Sequence, residues 1–511
     1  MEFESILFER AEDRPSGTKP EVPGFFADLN LDQIVEAVTK GKQEYNLKPF
    51  FWSPLGRIGA IEFRHEVMRE LQEPEPARIV GEFAQRMHTM RDYLARGDRL
   101  YYEFQKERWF VDAAEVYCEA VSSLSKELSG VDLTSRGFIA FREFLQEYAG
   151  SAQFTSFAEE TVRLKQDLLS IDYCVHIRGR RVTVRESEGE ADLSGDVERT
   201  FERFKQGAPK DYRAKFTEPA ELNNLEAHIL ENVTLLYPDV FKSLDDYSFK
   251  NRDFLNKTVV AFDREIQFYV AYLEFVNSVR ATGLNFCYPE VSESSKEVLA
   301  VDAFDLALAN KFLTEDRTMV LNDFSMTGKE RIFVVSGPNQ GGKTTFSRTF
   351  GQSHYLAELG CPVPGKEARL FLFDKLFTHF EKEENVEDLK SKLEDDLTRL
   401  HEILSQATPR SIVIANEILT STTLNDAIFL GKKVMEALDR LDLICVWVTF
   451  VEELASYSDK TVSLISMVAP DNPAIRTYKI MRRSAHGLSY ATAMAEKYGL
   501  TYKSLKERIQ P

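Results

Sequence analysis

The chain has 511 residues, of which 43% are apolar and 29% charged, and its formal net charge at pH 7 is −18. This length and composition are typical of a folded protein with two or three domains. The negative charge excludes a protein that coats DNA over its whole surface, and it restricts any DNA contact to a local basic site.

Neither the N-terminus nor the cysteines indicate export or a membrane span. The first 13 residues, MEFESILFERAED, are acidic and lack an uninterrupted apolar segment. The longest apolar stretch, residues 443–451, is much shorter than the roughly 20 residues that cross a bilayer. The five cysteines are scattered, without C-x-x-C spacing. We therefore expect a cytoplasmic protein with no membrane contact.

The first 290 residues have mainly helical periodicity. Residues 1–105 predict an N-terminal helical core segment, with one helix beginning near Asn30 or Asp32 and another over residues 61–71. From residue 107 to 170 and again from 222 to 282, apolar residues recur every three or four positions, which predicts long amphipathic helices. Between them, residues 173–185 predict two strands joined by a glycine turn, so residues 106–290 form a second predicted domain.

The predicted hairpin carries four arginines and no acid between them: Arg178, Arg180, Arg181 and Arg185. Arginines on an exposed hairpin suit contact with DNA phosphates without sequence preference. Lys205, Lys210, Arg213 and Lys215 extend this basic region along the sequence. The alternative is a hairpin that only keeps the protein soluble, which the acids at positions 186, 188, 190 and 192 favour.

A phosphate-binding motif follows the buried-type strand at residues 332–335. Residues 337–344, GPNQGGKT, match G-x-x-x-x-G-K-[ST] in full. The glycines let backbone N–H groups point at phosphate oxygens, Lys343 neutralises the β- and γ-phosphates, and Thr344 binds Mg²⁺. The alternative is a glycine-rich strand–helix turn without a ligand. The motif predicts ATP and Mg²⁺ as cofactors.

The sequence GPNQGGKTT closely resembles the GPNMGGKST loop of the MutS family, the DNA mismatch-recognition ATPases related to ABC transporters. Residues 320–323, 360–364, 374–378 and 486–490 resemble further segments of that family. The resemblance implies an ABC-type P-loop ATPase domain of α/β fold over residues 291–511, after a mostly helical core and lever region with a small β-rich clamp tip. The implied nucleotide-binding residues are Gly337, Pro338, Asn339, Gln340, Gly341, Gly342, Lys343, Thr344, Thr345, Asn322 and Ser391.

Two departures from the family pattern predict slow ATP hydrolysis. The strand ending at residues 416–417 carries Asn416-Glu417 where the family has Asp-Glu. The amide oxygen of Asn416 can still accept a hydrogen bond from a Mg²⁺-bound water, but a negative charge is lost, and Glu417 remains as the candidate base. Phe450 replaces the histidine that senses the γ-phosphate in the family. We expect ATP to bind, with weaker Mg²⁺ binding and slow turnover.

The resemblance also implies a homodimer that closes through the ATPase domains. Ser391 matches the serine of the family's signature helix, which binds the partner's γ-phosphate; on spacing alone, it is equally well an ordinary helix N-cap. No segment matches the family's mismatch wedge in context, because both F-x-E matches, at residues 141–143 and 157–159, lie in helical patterns. A short MutS-like protein without the N-terminal mismatch-recognition domain is therefore expected.

Two functions remain open. In the first, an ATP-gated homodimeric clamp binds DNA by its structure rather than its sequence and acts in DNA repair or recombination. In the second, a nucleotide-gated dimeric scaffold or regulatory ATPase does not bind DNA, which the net charge of −18 favours.

Overall fold

The structure is a computed structural model that describes residues 3–14, 21–179, 181–189, 222–315, 317–381, 392–469, 472–483, 500, 502, 505 and 506. The fold in this part of the chain is mixed α/β. Its helices are α1 Leu31–Thr39, α2 Lys48–Phe51, α3 Ile58–Glu70, α4 Pro74–Asp98, α5 Glu103–Ser129, α6 Arg136–Ala149, α7 Ala152–Leu169, α8 Asn224–Leu236, α9 Pro238–Lys250, α10 Lys257–Arg280, α11 Leu306–Phe312, α12 Lys343–Glu358, α13 Lys392–Gln406 and α14 Leu424–Leu441.

Strands lie where the sequence predicts them, at the hairpin and directly before the phosphate-binding motif. They are β1 Tyr173–Arg178, β2 Arg181–Glu186, β3 Phe286–Cys287, β4 Glu290–Ser292, β5 Val298–Ala303, β6 Asn322–Met326, β7 Ile332–Ser336, β8 Val363–Pro364, β9 Glu367–Phe371, β10 Leu376–Phe380, β11 Ile412–Asn416, β12 Ile444–Val448, β13 Thr461–Ala469 and β14 Asn472–Arg482. No helix among the described residues is long and apolar enough to cross a bilayer.

The chain forms two compact units. The first comprises Met1–Phe3, Glu73–Leu133 and Ile139–Asp263, and the second comprises Glu4–Gln72, Thr134–Phe138 and Arg264–Pro511. The predicted division into three domains, with boundaries after residues 105 and 290, remains a proposal.

The first unit is built from long helices with an aromatic core. Val111 and Ala114 on α5, Leu164 on α7, and Phe241 and Leu244 on α9 are buried in one cluster. Side-chain caps define helix starts here: Ser151 accepts a hydrogen bond from the N–H of Phe154 before α7, and Asn223 forms a capping box with Glu226 before α8. Both F-x-E matches lie on helices with the aromatic ring inward and the acid exposed, as predicted.

The predicted hairpin is confirmed as the antiparallel pair β1 and β2, joined at Gly179. Residues directly opposite each other in such a pair share a face of the sheet. Arg178 lies opposite Arg181, His176 opposite Thr183, and Cys174 opposite Arg185, while Val184 on the other face packs against the core of the unit. The three described arginines therefore share one face, and all three are exposed.

A buried acid in the first unit makes its stability depend on pH. Burial, followed by the neighbouring carboxylate of Asp245 on α9, raises the pKa of Glu107 on α5 to about 7. A carboxyl with a raised pKa favours folding in its protonated form, so its full contribution is present below about pH 4.5 and is lost as pH rises through about 7.

We predict that Glu107→Gln raises the thermal midpoint of the first unit at pH 8 by about 2 to 6 °C and changes it little at pH 5. The physical reason is that glutamine occupies the buried position without ever ionising. Differential scanning calorimetry at both pH values measures the effect. Glu119→Gln, at an exposed acid on the same helix, is the matched control. Equal midpoint shifts at pH 5 and pH 8 would contradict the assignment.

The second unit contains a six-stranded sheet in the order β10-β11-β12-β7-β13-β14. Its strands pair in parallel except for the antiparallel pair β13–β14. Every residue of β7, β11 and β12 is buried, which explains their continuous apolar sequences. The carboxyl ends of β7 and β11, where parallel sheets place ligands, therefore carry the phosphate-binding motif and Asn416-Glu417.

The N-terminal residues of the second unit pack directly on helix α12. Gln352 donates to the carbonyl of Leu29 and to the carboxylate of Asp305. Arg348 donates to the carbonyl of Asp28, whose carboxylate accepts a hydrogen bond from Thr378 on β10. Residues near position 28 thus fix α12 against the sheet.

Candidate functional site

The phosphate-binding motif forms a tight loop between β7 and α12. Gly342, the N-cap of α12, has φ of +90°, a conformation that residues with a Cβ atom rarely adopt. A Cβ atom on Gly341 would lie 2.1 Å from Oγ of Ser466, and this Oγ donates a 2.6 Å hydrogen bond to the carbonyl of Gly341. Strand β13 therefore supports the loop from behind, and the glycines are required by close packing and backbone conformation.

Lys343 lies inside the loop with only 5% of its side chain exposed. Its Nζ donates to the carbonyls of Gly337 and Pro338, both at 3.2 Å, and to Oδ1 of Asn339 at 3.4 Å. Burial lowers the pKa of the Lys343 ammonium, and the Glu417 carboxylate opposes this shift. The Lys343 side chain is thus held at the centre of the loop by three oxygen acceptors.

Asn416 and Glu417 lie beside the loop at the end of β11. Oε1 of Glu417 is 3.4 Å from Nζ of Lys343, and the Glu417 side chain is 34% exposed. Asn416 is 6% exposed, and its buried Oδ1 has no hydrogen-bond partner among the described residues. An unpaired amide oxygen is a suitable acceptor for a metal-bound water, so the residues present fit a hydrated Mg²⁺ ion.

A cavity of about 750 Å³ opens in front of the loop. Of the predicted site residues, it brings together Asn322, Gln340, Gly341, Gly342, Lys343, Thr344, Thr345 and Glu417. The remaining wall is Leu308, Phe312, Arg317, Thr318, Met319, Val320 and Tyr478. The cavity therefore has a polar end at the loop and a largely apolar end, as a nucleotide requires.

Strand β14 supplies residues that the sequence analysis missed. Tyr478 has φ of +58°, and its backbone lies about 3.5 Å from where a Cβ atom of Gly342 would be. Nε of Arg476 donates to the carbonyl of Asn339 at 3.2 Å. The amide of Asn322 donates to the carbonyl of Tyr478 and accepts from the N–H of Ile480. Asn322 thus holds β14 in place beside the cavity that it lines.

Other predicted residues lie apart from this cavity or outside the described residues. Phe450 lies two residues after the end of β12, is 48% exposed, and does not line the cavity. Ser391, Arg180, the basic residues at 205–215 and the segment 486–490 lie outside the described residues. The other three hairpin arginines belong to the first unit, and Nη1 of Arg185 pairs with Glu188 at 3.9 Å.

Comparison with known proteins identifies the C-terminal part of the chain. The family model for MutS domain V matches residues 333–508. DNA mismatch repair protein MutS of Orientia tsutsugamushi (strain Boryong) is 28% identical over 221 residues, which are 42% of this chain and 25% of that protein. Endonuclease MutS2 of Lactococcus lactis subsp. cremoris (strain SK11) is 25% identical over 294 residues, 57% of this chain and 35% of that protein.

DNA mismatch repair protein Msh3 of Mus musculus is 28% identical over 152 residues, 30% of this chain and 14% of that protein. The chain therefore spans between 14% and 35% of the length of these relatives. The predicted resemblance to the MutS family is confirmed: residues 333–508 match the family's domain V.

Proposed function

We propose that the C-terminal part of this chain is a P-loop ATPase domain of ABC type that binds Mg–ATP and hydrolyses it slowly. The observation that supports this most directly is the 750 Å³ cavity, in which Lys343, Thr344 and Glu417 surround one end and apolar side chains line the other. Leu308, Phe312 and Tyr478 would hold the adenine ring, and the N-terminal end of α12 would hold the triphosphate.

In this proposal different residues of the site bind different parts of Mg–ATP. Nζ of Lys343 exchanges its present carbonyl partners for β- and γ-phosphate oxygens. The backbone N–H groups of residues 339–345 would hold the phosphates, since the following helix has its positive end there. The Thr344 hydroxyl and the Asn416 amide oxygen hold Mg²⁺, which supplies charge neutralisation when bound.

Slow hydrolysis follows from the groups that come after β11 and β12. Glu417 orients and deprotonates the attacking water. Asn416 contributes a dipole where the family has a full negative charge, so the metal is held more weakly. Exposed Phe450 cannot donate a hydrogen bond to the γ-phosphate.

Calorimetric titration of Mg–ATP into the purified chain, with sedimentation velocity on the same samples, tests the proposal. We expect saturable ATP binding and an ATP-dependent increase in the homodimer. A protein that is indifferent to ATP in both measurements would overturn it.

We further propose that the homodimer is an ATP-gated clamp that contacts DNA phosphates through Arg178, Arg181 and Arg185, together with Arg180. The shared exposed face of the three described arginines supports this role. The second candidate, a nucleotide-gated scaffold that does not bind DNA, is favoured by the Arg185–Glu188 ion pair, which partly neutralises the same face.

The two candidates predict different salt dependence. For the clamp, the double variant Arg178→Ala/Arg181→Ala should weaken binding to duplex and branched DNA and reduce the log–log salt slope by about 2, since two phosphate contacts are lost. Fluorescence anisotropy from 50 to 200 mM salt, with and without ATP, measures this. Arg163→Ala/Arg252→Ala removes the same charge from other exposed positions of the first unit and is the control. Undetectable DNA binding by the wild-type protein at low salt would favour the scaffold.

A further inference from the structure

A buried hydrogen-bond network joins α13 to the turn that follows Glu417. The carboxylate of Asp396, in the second turn of α13, is buried. Its Oδ1 accepts a 2.8 Å hydrogen bond from Nε2 of His379 on β10, and its Oδ2 accepts a 3.1 Å hydrogen bond from the backbone N–H of Leu419. His379 is also buried, so both partners are withdrawn from solvent.

The turn that Asp396 holds is strained. Glu417 has φ of +55° and Leu419 has φ of +61°, and neither residue is a glycine. Left-handed backbone is unfavourable for residues with a Cβ atom, so the turn persists only where its surroundings fix it. On the sheet side, the N–H of Glu417 donates to the carbonyl of Val448 at 2.9 Å. On the helix side, the N–H of Leu419 donates to Asp396.

The backbone of this turn determines where the Glu417 carboxylate lies. We propose that Asp396 is a positioning residue for Glu417, and that His379 orients the Asp396 carboxylate for this purpose. The inference rests on the proposed function, in which Glu417 acts on the attacking water. Without the bond from Leu419, the turn relaxes and the Glu417 carboxylate leaves its place beside Lys343 and the γ-phosphate position.

The placement of the network favours positioning over a general role in core stability. Asp396 accepts its backbone hydrogen bond from Leu419, two positions after Glu417. His379 lies on β10, and the next residue of that strand, Phe380, pairs with Asn416. One carboxylate is therefore tied to both sides of the Asn416-Glu417 segment. If position 396 served packing alone, an apolar side chain would be sufficient there. Burying a carboxylate is unfavourable unless hydrogen bonds such as those from His379 and Leu419 compensate for its lost hydration.

Two substitutions of Asp396 separate the hydrogen bonds from the charge. Asp396→Leu removes both bonds and leaves the N–H of Leu419 without its acceptor. Asp396→Asn keeps both, because the amide oxygen accepts from Leu419 and the amide N–H donates to His379 once the imidazole proton moves to Nδ1. Asp395→Leu makes the same charge change at an exposed position of α13 and is the matched control.

We expect Asp396→Leu to lower the single-turnover rate of ATP hydrolysis by at least about 10-fold while the Kd for Mg–ATP changes by less than about 2-fold. Asp396→Asn should keep the rate within about 3-fold of the wild type. Hydrogen-exchange mass spectrometry should show fast exchange of the peptide spanning residues 417–421 only in Asp396→Leu, without any need for nucleotide.

These measurements distinguish a failure of the positioning role of Asp396 from a failure of the proposed ATPase function. A wild-type protein that neither binds nor hydrolyses ATP overturns the proposed function, while the exchange of residues 417–421 still decides whether Asp396 holds the turn. Unchanged exchange and an unchanged rate in Asp396→Leu overturn the positioning role. If Asp396→Leu does not fold, Asp396→Asn decides the matter. The stated hydrogen-bond pattern is overturned if Asp396→Asn hydrolyses ATP as slowly as Glu417→Gln while its ATP affinity is unchanged.

Discussion

Replacing Lys343 by alanine is expected to weaken the binding of Mg–ATP by about 100-fold or more. Lys343 is 5% exposed, and its Nζ is surrounded by loop oxygens that a triphosphate would displace. The Lys343 side chain is already fixed in the loop, so its removal alone accounts for the expected loss of ATP affinity. Isothermal titration calorimetry with wild-type and variant protein at equal Mg²⁺ concentration measures the difference.

Two further variants make this measurement specific to the loop. Lys329→Ala removes an exposed lysine of the same unit and should leave the ATP affinity unchanged. Lys343→Arg keeps the charge, but the planar guanidinium does not fit a space shaped for an ammonium among three oxygen acceptors, so we expect little recovery of binding. The same ATP affinity in Lys343→Ala and in the wild type would show that the nucleotide site has been assigned wrongly.

The parts of this site that can be predicted from the sequence are those that require a recognisable pattern among neighbouring residues. A fully buried parallel strand appears as a continuous apolar run, and the loop after β7 requires glycines at fixed spacing before Lys343 and Thr344. The hairpin was predictable because its sequence alternates with a period of two and turns at Gly179.

Residues that act through tertiary contacts show no such local pattern. Arg476 and Tyr478 reach the loop from a strand more than 130 positions away in the sequence, and no pattern near them indicates a ligand. Asp396 lies 23 positions before Leu419, and their hydrogen bond depends on how α13 packs on the sheet. The bonds from Gln352 and Arg348 to residues 28 and 29 likewise span more than 300 positions.

Replacing Glu417 by glutamine is expected to lower the rate of ATP hydrolysis by about 100-fold or more while ATP binding is retained. Glutamine has almost the same shape but cannot accept a proton from the attacking water. Because Asn416 is neutral, Glu417 carries the negative charge of this segment, and its Oε1 is 3.4 Å from Nζ of Lys343. The substitution therefore also frees Lys343 for the phosphates and removes a repulsive charge from the γ-phosphate position, so ATP affinity should be equal or higher.

If ATP binding favours the closed homodimer, a variant that binds ATP without hydrolysing it must accumulate that dimer. Sedimentation velocity of Glu417→Gln with Mg–ATP should show a dimer that persists for the length of the run, whereas the wild type returns to its starting distribution as ATP is consumed. Glu453→Gln, at an exposed acid of the short 3-10 helix Glu452–Ser456, should behave as the wild type. Wild-type turnover in Glu417→Gln would exclude Glu417 as the base. Lost turnover with no dimer would separate hydrolysis from assembly and favour a nucleotide site that does not gate dimerisation.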